Sequence, residues 1–219
     1  VTLLDDTAGF HKNLQYPTAT LDITLDLNGH TITGPASPCS AGCSTCTICV
    51  NVNFGSNQAK GSVLTIKDSS GNNSGKITGG KGGVKLDGTD CILNFTGGTI
   101  TGNHGGSKGG GIFMGAKSFL NMTGGVITGN SVQGTSSANS GYGGGVLANY
   151  GSITGGVITG NVANKGSHLQ TGRGGGVGTE ITRTTGYSTL TIANGVVYGN
   201  TAGNAGDDVM AQGNGNVKF

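Results

Sequence analysis

The sequence predicts an all-β fold: a single parallel β-helix of about six to seven turns, three short strands to each turn, with residues 1–219 forming one domain. Three recurring markers predict it. The phrase Thr-Gly-Gly-x-Ile-Thr-Gly-Asn stands at 96–103, 123–130 and 154–161, with weaker copies at 28–34, 74–79 and 193–200. Its central apolar residue (Ile32, Ile77, Ile100, Ile127, Ile158, then Val197) recurs at steps of 45, 23, 27, 31 and 39 residues. A short motif held constant across elastic spacers is the signature of a solenoid. The second marker is a glycine followed by an apolar residue: Gly83-Val84, Gly111-Ile112, Gly145-Val146 and Gly176-Val177, with Asp208-Val209 in the same slot. The third is an apolar-x-apolar triplet beginning at Leu25, Leu64, Leu93, Leu120 and Leu190. The markers keep one order, so each turn is expected to carry three strands parted by bends.

Composition agrees and excludes several classes. Glycine numbers 47 and proline only 3. Collagen would place glycine at every third position, and a disordered linker would lack the apolar columns. Here glycine falls at bends, where positive φ is needed. Charged residues make up 10% and the net charge is +2, too weak a balance to mark a nucleic-acid or acidic-lipid surface. Tryptophan is absent, so no stacking platform is advertised. No apolar run is long enough to span a bilayer as a helix.

Taken in order, residues 1–20 are expected to form an opening partial turn. The segment 21–34 alternates with period two, placing Leu21, Ile23, Leu25 and Leu27 on one side of a strand. Residues 35–49 interrupt the pattern as a cysteine-rich loop insertion, after which Ile48 and Val50 resume the second marker. The polar stretch 68–75 has the residue types of a bend with Asx-turns. From 79 to 200 the turns are regular, with spacer loops expected at 132–142 and 164–173 on one side. Stacked strands lie about 4.8 Å apart, so six turns make a rod roughly 30 Å long. Residues 207–219 are expected to close the last turn.

The combination of LDLNGHTITG with repeated TGGxITGN and GGG[IV] resembles the right-handed parallel β-helices of the pectate-lyase-like superfamily. It is most similar to the repeat-rich surface and adhesin-type β-helices of secreted bacterial proteins. The likeness runs from Leu21 to the end, and it implies right-handedness and an extracellular or cell-surface location. The chain opens on strand-like Val1-Thr2-Leu3-Leu4 with no signal-peptide pattern, so a processed or excised form is expected. The likeness says little about chemistry, because this scaffold carries many functions.

The asparagines that end the main phrase, Asn103, Asn130, Asn161 and Asn200, are expected to stack as a hydrogen-bonded ladder along one bend. A threonine column (Thr33, Thr78, Thr101, Thr128, Thr159) runs outside the isoleucines. Broken at Tyr198 and flanked by Lys76, it is an incomplete version of the flat arrays that bind ice. Cys39, Cys43, Cys46 and Cys49 have the spacing of a zinc or iron–sulfur site and equally of two local disulfides stapling a loop. An oxidising compartment favours the disulfides. Parity turns Cys91 inward as a small core residue, with a bridge to the loop left open. Asn72, Asn94 and Asn121 begin Asn-x-Ser/Thr triplets, acceptors for sugar in a host that glycosylates.

The resemblance implies where catalysis would sit: superfamily hydrolases use clustered aspartates, and lyases use an acidic calcium site with an arginine. Asp207-Asp208 matches part of the hydrolase Gly-Asp-Asp signature, but the Asn-x-Asp, Gly-His-Gly and Arg-x-Lys pieces are absent. Of the remaining acids, Asp22, Asp26, Asp68, Asp87, Asp90 and Glu180 are scattered, whereas a paired-carboxylate mechanism needs two that converge. His11, His30, His104 and His168 fall in different bends, and the only arginines are Arg173 and Arg183. The glycine string 105–111 precedes a strand rather than a helix, so it is a bend and not a phosphate cradle. No catalytic, cofactor or metal site is therefore expected. The expected function is a non-enzymatic extracellular structural protein, stacking head to tail with copies of itself into a filament or forming the stalk of an adhesin. The alternative is a polysaccharide lyase, a glycoside hydrolase or a glycan-binding β-helix, with surface glycans as partners.

Overall fold

The structure is a computed structural model and describes residues 1–8, 12–15, 20–35, 46–51, 61–115, 117–134, 141–164, 166, 172–180, 188–211 and 215–219. Every regular element among them is a β-strand, and the strands pair in parallel to form four sheets. Each pairing joins one sequence repeat to the next, a layout consistent with a β-solenoid.

The Ile-Thr-Gly strands make a six-stranded sheet of Thr31–Thr33, Lys76–Thr78, Thr99–Thr101, Val126–Thr128, Val157–Thr159 and Val196–Tyr198. Register sets Ile32, Ile77, Ile100, Ile127, Ile158 and Val197 side by side in one column. The five isoleucines are fully buried, and Val197 packs partly against the same core. A three-residue strand turns its middle side chain inward and its neighbours outward, which is why one apolar residue per phrase suffices.

The glycine-apolar marker builds a seven-stranded sheet: Lys12–Gln15, Ile48–Asn51, Val84–Asp87, Ile112–Met114, Val146–Leu147, Val177–Thr179 and Val209–Ala211. A second seven-stranded sheet comes from the triplets: Asp22–Asp26, Val63–Lys67, Ile92–Phe95, Phe119–Met122, Tyr150–Ile153, Ser188–Ile192 and Gly215–Lys218. Tyr150–Ile153 carries no apolar triplet. Gly151 stands where Leu120 and Leu190 stand in the neighbouring strands, at φ 124°. The opening residues do add to the first rungs, since Thr2 bridges Asp26 and Thr7 bridges Ile32.

The fourth sheet departs from the three-strand expectation. His104–Gly105, Ser131–Gln133, Val162–Asn164 and Thr201–Ala202 pair in parallel directly after the asparagine of each phrase. The central repeats therefore carry four strands. Residues 132–133 and 164, expected in spacer loops, are strand, and Val132 and Ala163 point into the interior. Strands of two or three residues are too short to show a period. The remainder of those spacers, 135–140 and 167–171, lies outside the described residues, but their closing ends stack. Lys108, Tyr142, Arg173 and Ala205 form a line of parallel bridges.

Candidate functional site

The asparagine column runs through the protein interior. Asn103, Asn130 and Asn161 are fully buried and Asn200 nearly so. Asn103 Nδ2 donates to Asn130 Oδ1 (3.0 Å), Asn130 Nδ2 to Asn161 Oδ1 (2.9 Å), and Asn161 Nδ2 to Asn200 Oδ1 (2.9 Å). Each of those oxygens also accepts the backbone N–H of the preceding asparagine, at 3.0 to 3.1 Å. Each Nδ2 further donates to the carbonyl two residues before it, Thr101, Thr128 or Thr159. A buried amide satisfied at this many points fixes the bend and offers no free group for chemistry.

The ladder also explains the second marker. A Cβ on Gly111 would stand 3.0 Å from Asn130 Nδ2 and 2.7 Å from the Gly145 carbonyl oxygen, so any larger residue crowds the amide. In the final turn Asp208 fills that slot. Its Oδ1 accepts from Asn200 Nδ2 and from the Asn200 backbone N–H, both at 2.9 Å. Asp207 Oδ1 accepts the Ala202 N–H at 2.7 Å. The two aspartates that resemble a hydrolase signature thus fasten the last turn.

Two other acids organise the first bends. Asp68 accepts from the N–H groups of Gly29 (2.8 Å), Ser70 (3.1 Å) and Gly75 (2.6 Å). Asp26 accepts from Asn28 N (3.1 Å) and Ser69 N (3.0 Å) and pairs with Lys67 Nζ at 3.1 Å. Burial alone would raise both carboxyls. The donors outweigh it, Ser69 foremost for Asp26 and Gly75 for Asp68, and hold each below the ordinary aspartate value.

Among the described residues no three His, Cys, Asp or Glu side chains gather as a metal site. Cys39 and Cys43 lie outside the described residues, as does the side chain of Cys49. Cys46 and Cys91 are both buried, and no disulfide joins them. Burial pushes the Cys91 thiol up, with Sγ 3.7 Å from the Thr89 carbonyl oxygen. His11, His168 and Arg183 also lie outside. His30 Nδ1 stands 3.4 Å from Asp6 Oδ1, and His104 Nδ1 is 2.7 Å from Ser131 Oγ. His104 occupies a strand of the fourth sheet rather than a bend. Of the Asn-x-Ser/Thr asparagines, Asn94 Nδ2 donates to Thr65 Oγ1 and Asn121 Nδ2 to Asn94 Oδ1, both at 3.2 Å. Asn72 is exposed in its bend, its Oδ1 accepting from Ser70 Oγ and Ser74 N.

One surface feature gathers charge, a cleft of about 350 Å³ on the outer face of the glycine-apolar sheet. Register places Phe113 beside Lys85, and Lys85 Nζ lies 5.4 Å from the Phe113 ring centre. Lys85 also pairs with Asp87 at 3.6 Å. Residues 106–109 fold back as the opposite wall. Gly109 permits this at φ 54°, since a Cβ there would stand 2.6 Å from the Phe113 Cα. Lys108 on that wall pairs with Glu180 at 2.7 Å, and Lys81 borders the cleft as well. No spacing in the sequence marks this grouping, since Lys81, Lys85 and Lys108 belong to a bend, a strand and a folded-back wall. One strand along, the residue paired with Phe113, Leu147, is buried, so the cleft ends on that side.

No protein-family model, curated protein or solved structure matches the chain.

Proposed function

We propose that this chain is a non-enzymatic extracellular structural protein, a right-handed parallel β-helix that stacks end to end with its own copies into a filament or serves as the stalk of a surface adhesin. The observation that carries this reading is the fate of its polar side chains. The stacked asparagines, Asp207 and Asp208, and Asp26 and Asp68 all hold bends together. The same use of Asp207 and Asp208 weakens the support for a lyase or hydrolase. Stacking draws support from the six-stranded sheet, where no described strand pairs with the outer edge of Val196–Tyr198, and Val196 and Tyr198 are 51% and 55% exposed. An uncovered parallel edge is a template for another chain, and a head-to-tail contact that does not close grows a fibre.

Light scattering after size-exclusion chromatography, with negative-stain imaging, tests the proposal. Fibres or concentration-dependent oligomers are expected, and Tyr198→Lys should suppress them by charging the edge. A monomer at high concentration, with no fibres by imaging, would sink the filament form.

A further inference from the structure

We infer that the cleft over Phe113 binds the sulfate monoester of a sulfated sugar. This goes beyond the scaffold reading and stands or falls separately from stacking. Four features of the cleft select that chemistry.

The first is the kind of cation. Lys81, Lys85 and Lys108 are all ammonium groups, and they approach from a bend, a strand and the folded-back wall. A planar carboxylate is best held by the parallel fork of an arginine, whereas separate point charges suit a tetrahedral oxyanion that presents oxygens in several directions.

The second is the charge balance. Lys85 is paired with Asp87 and Lys108 with Glu180, which leaves the single positive charge of Lys81 in surplus. A sulfate monoester brings one negative charge. A phosphate monoester brings about 1.5 to 2 at neutral pH and would meet the two carboxylates with more repulsion.

The third is the presence of unused polar groups. Among the described residues neither Lys81 Nζ nor Ser107 Oγ has a partner, and both border the cleft. The Lys85–Asp87 pair is long and partly solvated, so its internal attraction is small and Lys85 can share its charge with a ligand.

The fourth is size and wall. A cleft of about 350 Å³ falls at the lower end of small-molecule sites and has room for a sugar ring with its ester. Phe113 supplies an apolar wall for the ring, while Asp87 and Ser107 can accept from its hydroxyls.

Isothermal titration with four probes (galactose 6-sulfate, galactose 6-phosphate, galactose and inorganic sulfate) tests the inference, using the full chain. The sulfated sugar should bind most tightly, with affinity falling as salt rises. Lys81→Ala should weaken it about tenfold or more, the cost of losing one charged hydrogen bond. Lys81 is a partly exposed surface residue, so the melting temperature should not move. Lys117→Ala, an exposed lysine away from the cleft, should bind like wild type. The inference fails if the sulfated sugar does not bind, or if Lys81→Ala matches wild type. It also fails if Lys117→Ala is equally weakened, which would mean diffuse charge attraction. Tighter binding of the 6-phosphate would overturn the charge matching, and equal binding of inorganic sulfate would remove the sugar ring.

Discussion

Asn200 Nδ2 and the Asn200 backbone N–H both donate to Asp208 Oδ1 at 2.9 Å, the same pair of contacts each earlier asparagine makes to the next. The carboxylate stands in for the missing next asparagine. Asp208→Ala should leave the Asn200 backbone N–H without an acceptor, while Asn200 Nδ2 keeps the Ile158 and Tyr198 carbonyl oxygens, and destabilise the protein by about 1 to 3 kcal/mol. Asp208→Asn keeps the acceptor and should cost less than half as much. Urea unfolding of both variants checks the order, and an Ala variant as stable as wild type would show that the ladder needs no terminus.

Gly151 occupies a leucine position without being able to become one. It sits at φ 124°, and an added Cβ would fall within 1.9 Å of the Leu120 carbonyl oxygen. Gly151→Leu, which restores the apolar-x-apolar pattern, should therefore destabilise by about 3 kcal/mol or more through strain and backbone displacement. Thermal melts decide it, and a stabilised variant would contradict the geometry.

Ile127 tests the interior most directly. It is fully buried, and its register partners are Ile100 and Ile158. Ile127→Asp places an unpaired charge among hydrocarbon and should cost about 4 kcal/mol or more, enough to prevent cooperative folding. Ile127→Val should cost about 1 kcal/mol by the loss of one methylene. Circular dichroism melts of the two variants give the comparison.

Acid should weaken the first turns. Asp26 and Asp68 are both held below the ordinary aspartate value in the folded protein. Their contribution is therefore complete above the unfolded-state value of about 3.9 and is lost as pH falls through the lower folded values. The melting temperature should hold steady from neutral pH to about pH 5 and then decline. Asp68→Asn removes the second carboxylate oxygen that accepts from Gly75, so it should melt lower at neutral pH and lose less on acidification.

The repeat itself was legible in the sequence because strand interiors obey a local rule. In the isoleucine column each inward residue meets its own kind in the next turn, so Ile32, Ile77, Ile100, Ile127 and Ile158 recur in a recognisable phrase despite unequal spacing. The glycine before each apolar residue is legible for the same reason, since it leaves room for an asparagine that also recurs. The fourth sheet was not, because its strands, such as Ser131–Gln133 and Val162–Asn164, are two or three residues long and too short to show a period. Nor was Tyr150–Ile153, where backbone conformation took the place of a side-chain pattern.

By itself, then, the sequence determined the all-β class, the order of three strand types and the identity of the buried columns, all consequences of residues that repeat in register. Only the tertiary structure decided that Asp208 ends the asparagine ladder and that Lys81, Lys85 and Lys108 share a cleft with Phe113. The reason is that stacking converts register into proximity, while the spacers between turns vary in length. Lys108 and Glu180 meet at 2.7 Å across 72 residues of chain, and no spacing rule within the sequence encodes that distance.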